Sequence, residues 1–168
     1  MQCAAGQALY SVRARTVYDG TAKALVAKLK FERARAAARD IAYALPEPPA
    51  YEGHELLIVH VPTATSRIRE RGYDQAQLIA RRYAKIHAMA YMPALARMGQ
   101  QRQLGGSGVQ RRHQLESAFR VVRPAAIAGK HIILVDDVVT TGATLAAAAA
   151  ALKAAGARRV EAVTFARA

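Results

Sequence analysis

The chain has little cysteine, little aromatic bulk and little negative charge. One cysteine, Cys3, stands in 168 residues. A disulfide framework within the chain is therefore impossible, as is a multi-cysteine zinc site. Tryptophan is missing and aromatics make up 6%. The seven tyrosines are scattered and make no stacking platform. No apolar run reaches the roughly 18 uncharged residues that a transmembrane helix needs. The first residues, MQCAAGQALYSVRAR, place no lysine or arginine before their weakly apolar stretch and do not read as a secretory signal. These absences predict a cytoplasmic protein with no membrane partner. Acids number 12 against 25 Lys plus Arg, a net charge of +13. That surplus implies an anionic partner, either a phosphorylated small molecule or a nucleic acid.

What is present is a globular composition. Apolar residues are 52% and charged residues 22%, which argues against wholesale disorder. The length suits one domain. Basic residues cluster: eight between Arg13 and Arg39, six between Arg67 and Lys85, six between Arg97 and Arg123. Solvated helix faces account for part of this.

Thr21 to Leu45 reads as one amphipathic helix, ended by Pro46, Pro48 and Pro49. Leu56 to Val61 reads as a strand stopped by Pro62, and Gln75 to Met92 as a helix. Met98 to Gln110, rich in Gly and Gln, has no period and reads as a loop. Ala118 to Val122 is a short strand. The C-terminal third is clearest: strand Ile132 to Val135, Ala-rich helix Thr144 to Ala155 ended by Gly156, strand Val160 to Phe165. Strand, helix, strand in so few residues is a βαβ unit and implies a parallel sheet.

Chemistry concentrates in ILVDDVVTTGATL, residues 133–145. A buried strand is expected to end in Asp136 and Asp137, and ligands of open α/β sheets sit at the carboxyl ends of strands. Thr140, Thr141, Gly142, Ala143 and Thr144 follow, directly before a helix. Small residues at a helix N-terminus offer backbone N–H groups and the positive dipole end to a phosphate. Carboxylates at a strand tip accept from ribose hydroxyls. Together these point to ribose 5-phosphate. Asp before a loop and Thr at a helix start are also ordinary features, so the reading rests on the combination. A P-loop would need Gly-Lys-Ser/Thr, which is missing. A receiver domain would need a phosphoacceptor Asp on a later strand, and after Asp137 the only acid is Glu161.

The same segment resembles the phosphoribosyl-diphosphate (PRPP) motif of type I phosphoribosyltransferases. The wider match is to the ComF competence-protein branch of that fold. Tyr18-Asp19-Gly20 with Leu29-Lys30-Phe31 resembles its N-terminal signature. Val61-Pro62-Thr63, Arg67 and Arg71-Gly72-Tyr73-Asp74-Gln75-Ala76 resemble its central segment. Gln103, Arg111, Gln114, Leu115, Ala118 and Phe119 resemble its later stretch. Asp74 and Gln114 stand where the family usually has Asn. The paired cysteines of the family's zinc ribbon are missing, so no zinc is expected.

The resemblance implies a single domain over 1–168: a twisted, mostly parallel five-stranded sheet flanked by helices, with a small hood from about residues 1–50. It implies Mg²⁺ and PRPP as ligands. Asp136 and Asp137 would hold the ribose hydroxyls, directly or through Mg²⁺, and be the catalytic pair. Thr140 to Thr144 would cradle the 5-phosphate. Thr63, Ala64, Thr65, Ser66 and Arg67 would take the diphosphate through backbone N–H groups, with charge from Arg67 or Arg71, which share a helix face. Gly99, Gln103, Gly105, Gly106 and Arg111 would belong to a flexible loop that closes over the site. Lys30 reads as a snorkelling helix lysine within reach of a phosphate. His60 reads as a core or rim histidine; His54, His87, His113 and His131 show no metal spacing. Two functions follow: Mg-dependent phosphoribosyl transfer to an unidentified acceptor, or a regulatory module of DNA uptake. The expected partners are PRPP or another ribose 5-phosphate ligand, single-stranded DNA or competence machinery, and a second copy of the chain.

Overall fold

A computed structural model describes residues 8–31, 36–49, 55–98 and 118–168. Its elements run β1 (Ser11–Val17), α1 (Gly20–Phe31), α2 (Ala37–Ala44), β2 (Leu56–His60), α3 (Thr65–Arg71), α4 (Gln75–Ile86), β3 (Ala90–Tyr91), β4 (Leu95–Arg97), β5 (Phe119–Val121), β6 (His131–Val139), α5 (Ala143–Ala154) and β7 (Arg159–Arg167). One sheet has the order β1-β7-β6-β2-β3 and every pairing in it is parallel. β4 and β5 form a separate antiparallel pair.

The central strands are apolar on both sides because both sides are covered. Ile132, Leu134 and Ala162 pack with Leu145, Ala147, Ala148, Ala149 and Leu152 of α5. Ile133, Val135 and Val163 pack on the other face with Val26, Leu29, Ile41, Ile79 and Tyr83 of α1, α2 and α4. The alanines of α5 hold no long side chain between helix and sheet. Gly156, at φ +88°, turns the chain out of α5 into β7.

Several boundaries differ from those expected. Within Thr21 to Leu45 the described residues form the helical segments α1 and α2. α4 stops at Ile86, and Ala90–Tyr91 pairs with β2 as an edge strand. Residues 11–17 add an edge strand to β7, so the N-terminal region contributes to the sheet as well as to the cover over it. β6 does not end before the acids. It runs through Asp136 and Asp137 to Val139, because β7 stays beside it to Arg167. Phe119–Val121 is a strand as expected. No helix among the described residues is long and apolar enough to cross a membrane.

Candidate functional site

β2 pairs with β6 only as far as His60↔Val135. β6 continues past it, held by β7 through Asp136↔Thr164 and Val139↔Arg167. Asp136 and Asp137 therefore stand on an overhang beside the chain that leaves β2. That chain turns away after the Val61 N–H donates to the Val135 carbonyl at 3.0 Å. The result is a cleft of about 1020 Å³ at the carboxyl end of the sheet. This is where open parallel sheets hold ligands.

Consecutive strand residues point to opposite faces. Asp136 follows the parity of Ile132 and Leu134 toward the α5 side; Asp137 follows Ile133 and Val135 toward α1. The two carboxylates thus straddle the strand. On the α1 side, the Lys30 ammonium meets Asp137 Oδ2 at 2.8 Å. Asp136 Oδ1 accepts from the Asp137 backbone N–H at 2.8 Å. Burial, and then the Asp137 charge, push the Asp136 carboxyl well above the usual carboxylate range; that hydrogen bond and Lys30 pull the other way.

The turn after β6 is Thr140–Gly142. Gly142 adopts φ +79°, a left-handed conformation that glycine enters freely, and α5 starts at Ala143. Thr141 Oγ1 accepts from the Ala143 N–H at 3.4 Å. Thr140 and Thr144 line the cleft.

The second wall is Val61 to Arg67. Asp74 holds it from behind. Its Oδ2 accepts from the Thr63 N–H at 2.9 Å and its Oδ1 accepts from the Thr63 hydroxyl at 3.1 Å. The same Oδ1 accepts from the Gln77 N–H at 3.2 Å and so caps α4. His60 Nε2 lies 3.8 Å from Asp74 Oδ2, and His60 Nδ1 is 3.0 Å from the Tyr91 hydroxyl. Burial lowers the His60 pKa more than the Asp74 charge raises it, so the ring is neutral near pH 7. His60 is thus a buried histidine, as expected.

Thr63, Ala64, Thr65, Ser66 and Arg67 all line the cleft with the acidic pair. Two details correct the sequence reading. The Thr63 N–H is taken by Asp74 and does not face a ligand. Arg71 is buried and does not line the cleft. A residue four further along a helix lies about 6 Å along its axis, which carries Arg71 away from the strand tip although it shares the face of Arg67. Gly99, Gln103, Gly105, Gly106 and Arg111 lie outside the described residues, as do Gln114, Leu115, His54, His113 and Cys3.

The cleft adds residues that sequence reasoning did not assign to it: Tyr18, Gln75, Arg97 and Met98. Arg97 comes from β4 and stacks over the Phe119 ring at 5.4 Å. It headed the third basic cluster, which was the available signal. Gln75 is 5% exposed, and its buried Oε1 has no hydrogen-bond partner. A buried amide oxygen without a donor, at the wall of a cleft, is suited to a ligand donor. Among the described residues, the cleft presents Lys30, Arg67 and Arg97 as cations and Asp136 and Asp137 as acids. No cluster of three or more His, Cys, Asp or Glu residues able to hold a metal occurs among them. Two hard carboxylates fit a magnesium ion that completes its shell with water and phosphate oxygens.

Comparison with known proteins bears on the family. The family model described as a phosphoribosyl transferase domain matches residues 93–168. The DNA utilization protein YhgH of Escherichia coli strain K12 is 33% identical over 106 residues, 62% of this chain and 46% of its own. Competence protein F of Haemophilus influenzae is 30% identical over 114 residues, 66% of this chain and 50% of its own. These matches support a ComF-type, phosphoribosyltransferase-like family for the chain. It spans about half the length of the curated relatives it matches. A solved glutamine PRPP amidotransferase from B. subtilis, complexed with ADP and GMP, has a TM-score of 0.49 and 18% identity, over 77% of this chain and 25% of its own.

The family match also covers the described part of the site unevenly. Asp136 to Thr144 lie within residues 93–168; Lys30, the Thr63–Arg67 wall and Asp74 lie outside. Those N-terminal residues enter the site through the fold, by contact with Asp137 and by closing the opposite wall of the cleft.

Proposed function

We propose that this ComF-type chain binds PRPP with Mg²⁺ and transfers its phosphoribosyl group to an acceptor not yet identified. The observation that carries the reading is the convergence in one cleft of Asp136 and Asp137, Thr140 and Thr144 at the start of α5, and the Thr63–Arg67 wall. The fit is chemical. The turn at the N-terminus of α5 suits the 5-phosphate. Asp136 and Asp137 accept from the ribose hydroxyls, one from each side of β6. Arg67 and Arg97 supply charge to the diphosphate, Arg67 beside the Thr63–Ser66 backbone. A bound magnesium ion would be held by the acidic pair with ligand oxygens and would stabilise the charge that builds on the leaving diphosphate. The transfer breaks the bond between C1 and the diphosphate oxygen. The electron pair leaves with diphosphate, and the acceptor's lone pair forms the new bond to C1. The protein orients both partners and keeps water from the electron-poor C1.

The test is calorimetric titration of PRPP with Mg²⁺ into the protein and into its Asp136→Ala/Asp137→Ala variant. Saturable binding that the double variant loses is expected. A folded protein that shows no binding sinks the reading. Diphosphate release with a panel of bases and amines then identifies the acceptor.

A second reading is favoured by the net charge of +13 and by relatives named for DNA utilization and competence. In it the domain serves DNA uptake, binds single-stranded DNA or competence machinery, and uses PRPP as a regulatory ligand. Binding that falls steeply with added salt is its signature. Undetectable DNA binding at physiological salt, together with turnover of PRPP, removes it.

A further inference from the structure

The acidic pair already has a cation on it, and that cation belongs to the protein. Lys30 sits at the last turn of α1 with its ammonium 2.8 Å from Asp137 Oδ2. Its side chain is 17% exposed and that of Asp137 is 6% exposed, so this is no surface pair shared with bulk water. Its backbone is fixed as well: the Tyr73 hydroxyl, buried beside Asp74, donates to the carbonyl of Leu29 next to it. Lys30 and both acids line one cleft, and so does Gln75 with its unpartnered buried oxygen. The cleft is therefore shaped for a ligand, while the carboxylate that would receive a cation is occupied by the chain itself.

We propose that Lys30 is an electrostatic latch on Asp137: it keeps the acidic pair from taking up a free divalent cation, and it yields when the cation arrives with a phosphorylated ligand whose oxygens accept the lysine in turn. The charge arithmetic is direct. With Lys30 in place the acidic pair carries one unit less of net negative charge than without it. A divalent cation is drawn far more weakly to the pair with Lys30 in place. A ligand carrying several phosphate charges reverses the balance, because Lys30 gains a partner and Asp137 is released. Cation and ligand then bind as a coupled pair, and by linkage each raises the affinity for the other. The consequence for the chemistry is that a cation does not occupy the site without the group it is to act on.

This inference rests on the PRPP reading for the identity of the ligand, but its first arm does not. Mn²⁺ alone, followed by electron paramagnetic resonance of the free ion, is titrated into the wild type, Lys30→Met, Lys30→Arg and Lys30→Met/Asp137→Asn. Methionine keeps the stem that packs on the helix and removes the charge. Lys30→Met is expected to bind Mn²⁺ at least about tenfold more tightly than the wild type, as removal of one charge at a partly buried site implies. Lys30→Arg should match the wild type, and the Asp137→Asn change should abolish the gain. Equal Mn²⁺ affinity in folded wild type and Lys30→Met overturns the latch. So does a gain that survives Asp137→Asn. Should Lys30→Met fail to fold, Lys30→Gln carries the same comparison.

The second arm repeats the titration with PRPP. The wild type should gain at least about tenfold in Mn²⁺ affinity, and Lys30→Met should lose most of that dependence. A Lys30→Met gain with Mn²⁺ alone, but no effect of PRPP on the wild type, keeps the lock and removes PRPP as its key. A PRPP effect of equal size in both proteins overturns the latch and leaves the PRPP reading standing.

Discussion

The turn after β6 and the turn after β2 leave neighbouring parallel strands and line the same cleft, yet they hold their shape by different means. The first is made by backbone. Gly142 takes the left-handed conformation and α5 follows at once. Its determinants lie within five residues of sequence. The second is made by a side chain from elsewhere. Asp74, eleven residues on, ties down both the N–H and the hydroxyl of Thr63 while it caps α4. His60 and Tyr91 stand behind Asp74. In the local turn the Ala143 N–H is held only by the neighbouring Thr141 hydroxyl, whereas in the braced wall the Thr63 N–H is taken by Asp74 from eleven residues away. The cleft thus combines a turn fixed by local backbone with a wall whose position depends on a polar network around Asp74.

Breaking the brace should have the largest effect. Asp74→Ala removes the cap of α4 and leaves the part-buried Thr63 N–H without its partner. Caps contribute about 1 kcal/mol and an orphaned buried donor costs about 1–3 kcal/mol, so a loss of roughly 2–4 kcal/mol is expected in urea unfolding. PRPP affinity should fall with it, because the Thr63–Arg67 wall loses its anchor. Asp74→Asn, which keeps one acceptor oxygen, should lose markedly less. Equal losses in the two variants would mean that the one oxygen Asn keeps contributes nothing.

The local turn should respond more mildly and in another way. Gly142→Ala places a Cβ no closer than 4.0 Å to Val139 Cγ2, so nothing clashes. What it costs is the left-handed conformation, about 1–2 kcal/mol for an L residue. Stability should drop by that amount in thermal or urea unfolding. A neutral outcome would show that the turn shifts to another conformation, and phosphate binding would then be the quantity to compare.

This contrast also explains what could be read from the sequence. The turn after β6, its two acids and the βαβ unit around them were legible because they are contiguous and because apolar strand, small-residue turn and Ala-rich helix each have a local signature. The Thr63–Arg67 segment lines the cleft with the acidic pair, but the loss of the Thr63 N–H to Asp74 was not foreseen, since it depends on how α4 docks. Arg71 was misjudged because shared helix face says nothing of distance along the axis. β1 was missed: SVRARTV carries three polar or basic residues among its alternating positions and pairs only as an edge strand. Lys30 was read as a snorkelling lysine, although it meets Asp137 across more than a hundred residues of sequence. No pattern in one chain announces such a pairing.

The smallest expected effect reads the brace from behind, through pH. His60 is neutral in the fold because burial disfavours its charged form more than Asp74 favours it. Its folded pKa therefore lies below the unfolded value of about 6.5. The unfolded chain takes up the proton first as pH falls. The contribution of neutral His60 to stability is intact above about pH 6.5 and is lost progressively below it, down to the folded pKa. One proton sets a ceiling of about 1.4 kcal/mol per pH unit on the slope. Urea midpoints measured between pH 7.5 and 5 should fall more steeply for the wild type than for His60→Gln, which cannot titrate. Parallel curves would mean that the ring is protonated or neutral alike in both states, and that the Asp74 charge offsets burial in full. A steeper wild-type curve would place a titrating group two bonds of the network away from Thr63, and the wall of the cleft would loosen as the ring charges.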